Sequence, residues 1–170
     1  MLTNAKAVHH PHDHLRCVNS ALSRARALCS ARRARLTPLR EAVLRLLWQS
    51  HRPLGAYQIQ QQLSQINRKA VAAPTVYRAL EFFLELGLIH RISSLNAYIG
   101  CPFPESDHSD MFLICNDCGN AAEVSHSHVN QLLMQTAKRA DFQLASQSLE
   151  LYGQCAQCRD LADSGAQWVR

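Results

Sequence analysis

Two hydrophobic periods divide this chain. Up to about residue 85 the apolar positions recur every three or four residues, as on one face of a helix. After that most come in short blocks bounded by polar turns, as in strands, with one further helical stretch. Leu15, Val18, Leu22, Ala25 and Leu28 predict a first helix within 15–34. LTPLREAVLRLLWQS predicts a second, with Thr37 as cap, Pro38 in the first turn and Leu39, Val43, Leu46 and Leu47 as its apolar stripe. This helix stops near HRPLG. A short helix over Ala56 to Leu63 turns Ile59 and Leu63 inward. In APTVYRALEFFLELGLIHRI, Pro74 lies near a helix start and Val76, Leu80, Phe83 and Leu84 face a core. Gly87 ends the helix, where a residue tolerant of left-handed backbone is needed. LIHRI and NAYIGC then predict two short strands around a polar turn.

The composition shifts after Cys101. CPFPESDHSD, with two prolines and several acids, reads as a hinge and metal-binding loop. MFLIC and AAEV predict strands flanking the knuckle CNDCG. Asn130 to Ala140 predicts a helix, and FQLASQSLELYGQC returns as a strand that leads into CAQC. The expected fold is therefore α+β: an N-terminal winged helix, then a small α/β zinc-containing dimerisation domain. The expected division is a flexible His-rich tail at 1–14, a DNA-binding domain at 15–100, a hinge at 101–109 and a dimerisation domain at 110–170. A second domain this small needs a metal or a partner.

Charge supports two different jobs. Residues 1–100 carry 14 Lys/Arg against 4 Asp/Glu, a balance of +10, while residues 101–170 carry 4 against 9, a balance of −5. The basic part suits a polyanion such as nucleic acid; the plainer reading is a solvated basic face. No apolar run approaches the roughly 18 residues that a membrane span requires. The N-terminus lacks the apolar core of a secretory signal, so a cytoplasmic protein is expected.

Seven cysteines are present, and four form the pairs Cys115/Cys118 and Cys155/Cys158. Without an export signal, metal binding is the better reading than a disulfide framework. Four thiolates at this spacing suit tetrahedral Zn²⁺, and closed coordination makes such a site structural. A redox dithiol pair or an iron–sulfur centre are the rival readings. A second, mixed N/S/O set is available in His90, Cys101, His108 and Glu123, which come from both predicted domains. Spacing alone does not select these four: Asp107, Asp110, His126 and His128 are equally fair donors. His9, His10, His12 and His14 could bind metal loosely in the tail. Cys17 and Cys29 stand isolated as core or surface cysteines.

LTPLR at 36–40, GAYQI at 55–59, APTVYRALEFFLELGLIHRI at 73–92 and the two C-terminal cysteine pairs together resemble the ferric uptake regulator (Fur) superfamily, most closely its zinc uptake regulator branch. The resemblance covers about residues 34–160. It implies a homodimer held by the C-terminal domains, with two recognition helices on palindromic, AT-rich double-stranded DNA. It implies two Zn²⁺ per subunit: a structural ion at Cys115, Cys118, Cys155 and Cys158, and a regulatory ion at His90, Cys101, His108 and Glu123. NAYIGC resembles the segment of the zinc branch that ends in a ligand cysteine. A single histidine in SDHSD and a sulfur donor at Cys101 depart from the iron branch.

On this resemblance Tyr77 and Arg78 lie on the DNA-facing side of the recognition helix, Tyr77 to meet a base or methyl group and Arg78 a phosphate or guanine edge. The plainer role for Tyr77 is packing against the hinge. Thr75 either touches DNA or caps the helix, and Arg40 is either a phosphate contact or a solvated arginine. Arg68 and Lys69 add nonspecific attraction. The implied function is a zinc-responsive repressor of zinc-uptake genes; the alternative is an iron-responsive regulator of the same superfamily. His90, Cys101 and Glu123 could be drawn as a nucleophile–base set, but no nucleophile motif supports an enzyme. A protein-binding adaptor would leave the basic front half unexplained.

Overall fold

A computed structural model of the chain describes residues 13–104 and 110–163. It divides into two compact units, His12–Ser106 and a unit containing Asp107–Arg170.

The first unit begins with α1 (His14–Ala31), α2 (Pro38–Trp48), β1 (Leu54–Gly55), α3 (Ala56–Ile66) and α4 (Ala73–Glu85), and ends with β2 (Ile89–Ile92) and β3 (Ala97–Gly100). Local chemistry sets the helix starts. The Asp13 carboxylate accepts from Leu15 N at 2.9 Å, and Thr37 Oγ1 accepts from Arg40 N at 3.4 Å. The Gln58 side chain reaches back to accept from Gly55 N at 2.9 Å. Gly87 follows α4 with φ 68°, a conformation in which a Cβ is strained.

The helices bury their stripes in one core, where Val43, Leu44, Leu47, Ile59, Leu63, Val76, Leu80 and Phe83 are sealed from solvent. A fully buried aliphatic or aromatic side chain contributes about 1.5–3 kcal/mol. The wing lies on this core as an antiparallel sheet of order β1-β3-β2, with His90 opposite Ile99 and Ile92 opposite Ala97. Trp48 packs across β3 at Gly100, where a Cβ would fall inside the indole ring.

Several expectations change here. Leu15 is exposed and Leu28 only half-buried, because the buried face of α1 is Val18, Ala21, Leu22, Ala25 and Cys29. Cys29 is thus a core residue. His14, placed in the tail by its polar neighbours, is the first residue of α1, since Asp13 supplies the cap. Leu84 is exposed, one position off the face of Val76, Leu80 and Phe83. The two-residue strand β1 is too short to leave a periodic signal.

The second unit comprises β4 (Asp110–Cys115), β5 (Ala121–Val124), α5 (Ser127–Arg139), β6 (Ser148–Gly153) and α6 (Ala156–Asp163). The sheet order is β5-β4-β6. β4 runs antiparallel to β5 and parallel to β6, with Cys115 in register with Gly153. The returning strand is shorter than predicted: residues 142–147 form no strand. Helix α6 is an addition to the prediction, and α5 starts three residues before the predicted Asn130.

Candidate metal centre and nucleic-acid interface

Sheet register builds the metal centre in the second unit. β4 ends at Cys115, and the turn that follows bends back through Gly119, at φ 71°, which donates to the Cys115 carbonyl at 3.0 Å. Parallel pairing carries β6 to the same end of the sheet, where Asn116 N donates to Gly153 O at 2.8 Å. Cys155 then precedes α6, and Cys158 lies in its first turn. Gln154 Nε2 donates to Asp117 Oδ2 at 2.7 Å and ties the two knuckles together.

The four sulfurs converge. Cys115 and Cys158 Sγ are 3.6 Å apart, Cys155 and Cys158 3.4 Å, and Cys118 and Cys155 4.0 Å. All four residues are buried and form their own cluster. A disulfide bond needs about 2.05 Å, so these are thiols. Four sulfurs at about 2.3 Å from a tetrahedral zinc ion stand about 3.8 Å apart, and the observed separations bracket that value. The donor set and its spacing therefore fit Zn²⁺.

Burial alone would raise the Cys115 thiol. Hydrogen bonds from the backbone at Cys118, Cys155 and Asp117 outweigh it and lower the group to about 6. One of these is Cys155 N donating to Cys115 Sγ at 3.3 Å. Cys118 and Cys158 are pushed upward, chiefly by burial and also by the neighbouring sulfurs. The backbone thus favours the thiolate at Cys115, while Cys118 and Cys158 need a cation to ionise at neutral pH.

The second predicted set is distributed differently. In the first unit His90 lies half-buried on β2, and Cys101, 1% exposed, follows β3. Cys101 N donates to Leu88 O at 2.9 Å, which holds the cysteine beside β2, and the two side chains offer ligand atoms within 4.8 Å of one another. Phe103 N donates to Cys101 Sγ at 3.3 Å. In the second unit Glu123 lies on β5 opposite Phe112 and is 3% exposed, the one buried charged residue among those described. A carboxylate at that depth requires a donor or a cation to compensate it. His108 and Asp107 lie outside the described residues. Asp110 begins β4. His126 and His128 face each other with ring centroids 6.4 Å apart and join no group of three donors among the described residues.

The predicted DNA-facing residues share part of one surface. Thr75, Tyr77 and Arg78 are exposed on α4, on the side away from Val76, Ala79, Leu80 and Phe83. Tyr77 is 48% exposed. Thr75 does not cap: Ala72 holds that position, and Thr75 N donates to Ala72 O at 3.0 Å. Arg68 and Lys69 are exposed between α3 and α4. That linker is pinned where Val71 N donates to Ser64 Oγ at 3.0 Å and Gln60 Nε2 to Val71 O at 2.8 Å. Arg68 takes φ 50°, the left-handed conformation common just beyond a helix. Arg40 is half-buried. Its guanidinium lies 3.4 Å from the Phe82 ring centroid and donates to Arg35 O, so it is engaged within the fold rather than freely solvated.

Known proteins share this arrangement. The ferric uptake regulator family model matches residues 31–152. The zinc uptake regulation protein of Escherichia coli K12 is 36% identical over 138 residues, which is 81% of this chain and 80% of that protein. A solved structure of a zinc uptake regulator complexed with zinc and DNA superposes with a TM-score of 0.80 at 32% identity, over 86% of this chain and 97% of its own. The holo form of XcZur gives 0.72 at 40% identity, over 84% and 99%. With the winged helix, the paired cysteine knuckles and a family match across most of the sequence in place, the chain belongs to the ferric uptake regulator family.

Proposed function

We propose that the protein is a zinc-responsive DNA-binding repressor of zinc-uptake genes, acting in the cytoplasm as a homodimer. Two Zn²⁺ per subunit divide the work. The ion at Cys115, Cys118, Cys155 and Cys158 holds the second unit together, because closed sulfur coordination leaves no position for a substrate. The ion at His90, Cys101, His108 and Glu123 is the signal. Its binding favours the DNA-binding conformation of the dimer.

The observation that carries the choice of metal is the His90–Cys101 pair. A buried sulfur beside an imidazole is a softer donor set than an iron sensor uses, and it suits zinc. Glu123 supplies a carboxylate already withdrawn from water.

What the second unit leaves uncovered supports the dimer. No residue of α5 is buried, and Leu132, Met134, Phe142, Leu151 and Tyr152 are exposed. A second copy would cover them and the outer edge of β6. The paired α4 helices then enter successive major grooves of a palindromic, AT-rich operator. Tyr77, Arg78 and Thr75 face the bases there, while Arg68, Lys69 and any donor that Arg40 can spare meet phosphates.

The test is operator binding by the purified dimer with the four-cysteine zinc retained, while buffered Zn²⁺, Fe²⁺, Mn²⁺ and Ni²⁺ are titrated separately. Tight binding that appears only as Zn²⁺ fills a second site is the expected result. Binding driven by Fe²⁺ and indifferent to Zn²⁺ would make the protein an iron-responsive regulator. Loss of operator occupancy on adding zinc would sink the repressor reading.

A further inference from the structure

A second histidine–cysteine group shares no residue with the two zinc sites proposed above. His14 opens α1, Cys17 lies one turn along the same helix, and His51 sits in the turn after α2. The three-residue spacing places His14 and Cys17 on one helix face. Packing of α1 on α2 delivers His51 to that face. One nitrogen from each imidazole and the Cys17 sulfur all lie within 4.8 Å of one another. The two imidazole centroids are 5.0 Å apart, with the rings tilted by 49°. Cys17 is a free thiol, and all three residues are half-buried, so an ion can reach them.

We propose that His14, Cys17 and His51 form a further zinc-binding site, with water in the fourth position. Two imidazoles and a thiolate are borderline-to-soft donors, which select Zn²⁺ over Mg²⁺ or Ca²⁺. Ligands at about 2.0–2.3 Å from a tetrahedral ion stand about 3.3–3.8 Å apart, so small side-chain rotations close the group. The start of a helix by itself disfavours a cation. Here the Asp13 carboxylate, already in place as the cap, and Cys17, which gives up its proton as it binds the ion, offset that effect. An ion at this position ties the first turn of α1 to the turn after α2 and stops that end of the helix from fraying. The site does not depend on the regulatory role of His90 and Cys101.

Full-length protein with its four-cysteine zinc in place is titrated with Zn²⁺ and with Co²⁺ against a chelating competitor. The wild type should take up one more equivalent than either Cys17→Ser or His51→Ala. Its extra Co²⁺ should show sulfur-to-metal charge-transfer absorption, which Cys17→Ser removes. Zinc should slow hydrogen exchange at amides 15–18 at least tenfold in the wild type and leave it unchanged in His51→Ala. Far-ultraviolet circular dichroism checks that each variant is folded. Should Cys17→Ser fail that check, His51→Ala, altered in a turn, decides alone. Equal stoichiometry in all three proteins overturns the proposal. So does an extra equivalent that survives both substitutions, which places the ion elsewhere, the regulatory residues included. Uptake of Cu⁺ with none of Zn²⁺ or Co²⁺ overturns the choice of zinc.

Discussion

The two units solve the same problem by different means. The first fills its interior with side chains: Phe83, Leu44, Leu47, Ile59, Leu63 and Leu80 are all but inaccessible. The second has a thinner apolar interior, and beside it four cysteines form a core cluster of their own. Its helix α5 has no buried residue, and much of β6 is exposed. The first unit is stable through packing, whereas on the proposed function the second relies on a metal and on a partner.

The sharpest way to break this comparison is to remove a sulfur. Cys115→Ser should unfold the second unit and leave the first intact. Structural zinc contributes about 10–16 kcal/mol in small metal-dependent domains, more than such a fold can spare. Hydrogen exchange read segment by segment should lose protection in β4–β6 while α2–α4 keep theirs. Uniform loss across both units, or no loss, would show that the division is wrong.

Phe83→Ala is the mirror experiment. It should destabilise the first unit by about 3–5 kcal/mol through a cavity under the wing, seen as a lower denaturation midpoint. Zinc at the cysteine cluster should stay bound. A midpoint shift of under about 1 kcal/mol would mean that this core is less tightly packed than its burial implies.

An exposed residue of the second unit should matter more than its exposure suggests. Leu151→Glu places a charge on β6 and should shift the dimer toward monomer in sedimentation, with the secondary structure kept. An unchanged sedimentation coefficient at micromolar protein would remove β6 from the dimer surface.

On α4, Arg78→Ala should leave folding unaffected and weaken operator binding by about 1–3 kcal/mol. If Arg78 reads a base, discrimination between operators falls. If it meets a phosphate, binding weakens evenly and the salt slope drops by about one. The smallest effect is expected from Arg68→Gly. It relieves a left-handed backbone and should raise stability by under about 1 kcal/mol, while lowering the salt dependence of DNA binding.

Much of the first unit was legible because each helix carries a local start or stop: Thr37 and Pro38 for α2, Gly87 beyond α4. In α1 periodicity gives the spacing of a stripe but not which of its ends lies against a neighbour, and Leu15 is exposed. The wing hairpin was readable, but β1 was not: two residues pair only because β3 happens to lie beside them. In the second unit, residues 142–147 carry strand-like apolar spacing yet find no strand partner, so only Ser148–Gly153 pairs with β4. The cysteine pairs declared a metal site at once, because the spacing within each knuckle is local.

By itself, the sequence determined the helix periods, the capped ends, the charge division between the two halves and the donor chemistry of Cys115, Cys118, Cys155 and Cys158. These depend on neighbours a few positions apart. Tertiary structure alone decided that the four sulfurs meet at one end of a mixed sheet, that Glu123 is buried, that Arg40 lies on Phe82 and that His51 joins His14 and Cys17. Those contacts join residues far apart in the chain, and they form only when packing and strand register bring the residues together. No local period encodes them.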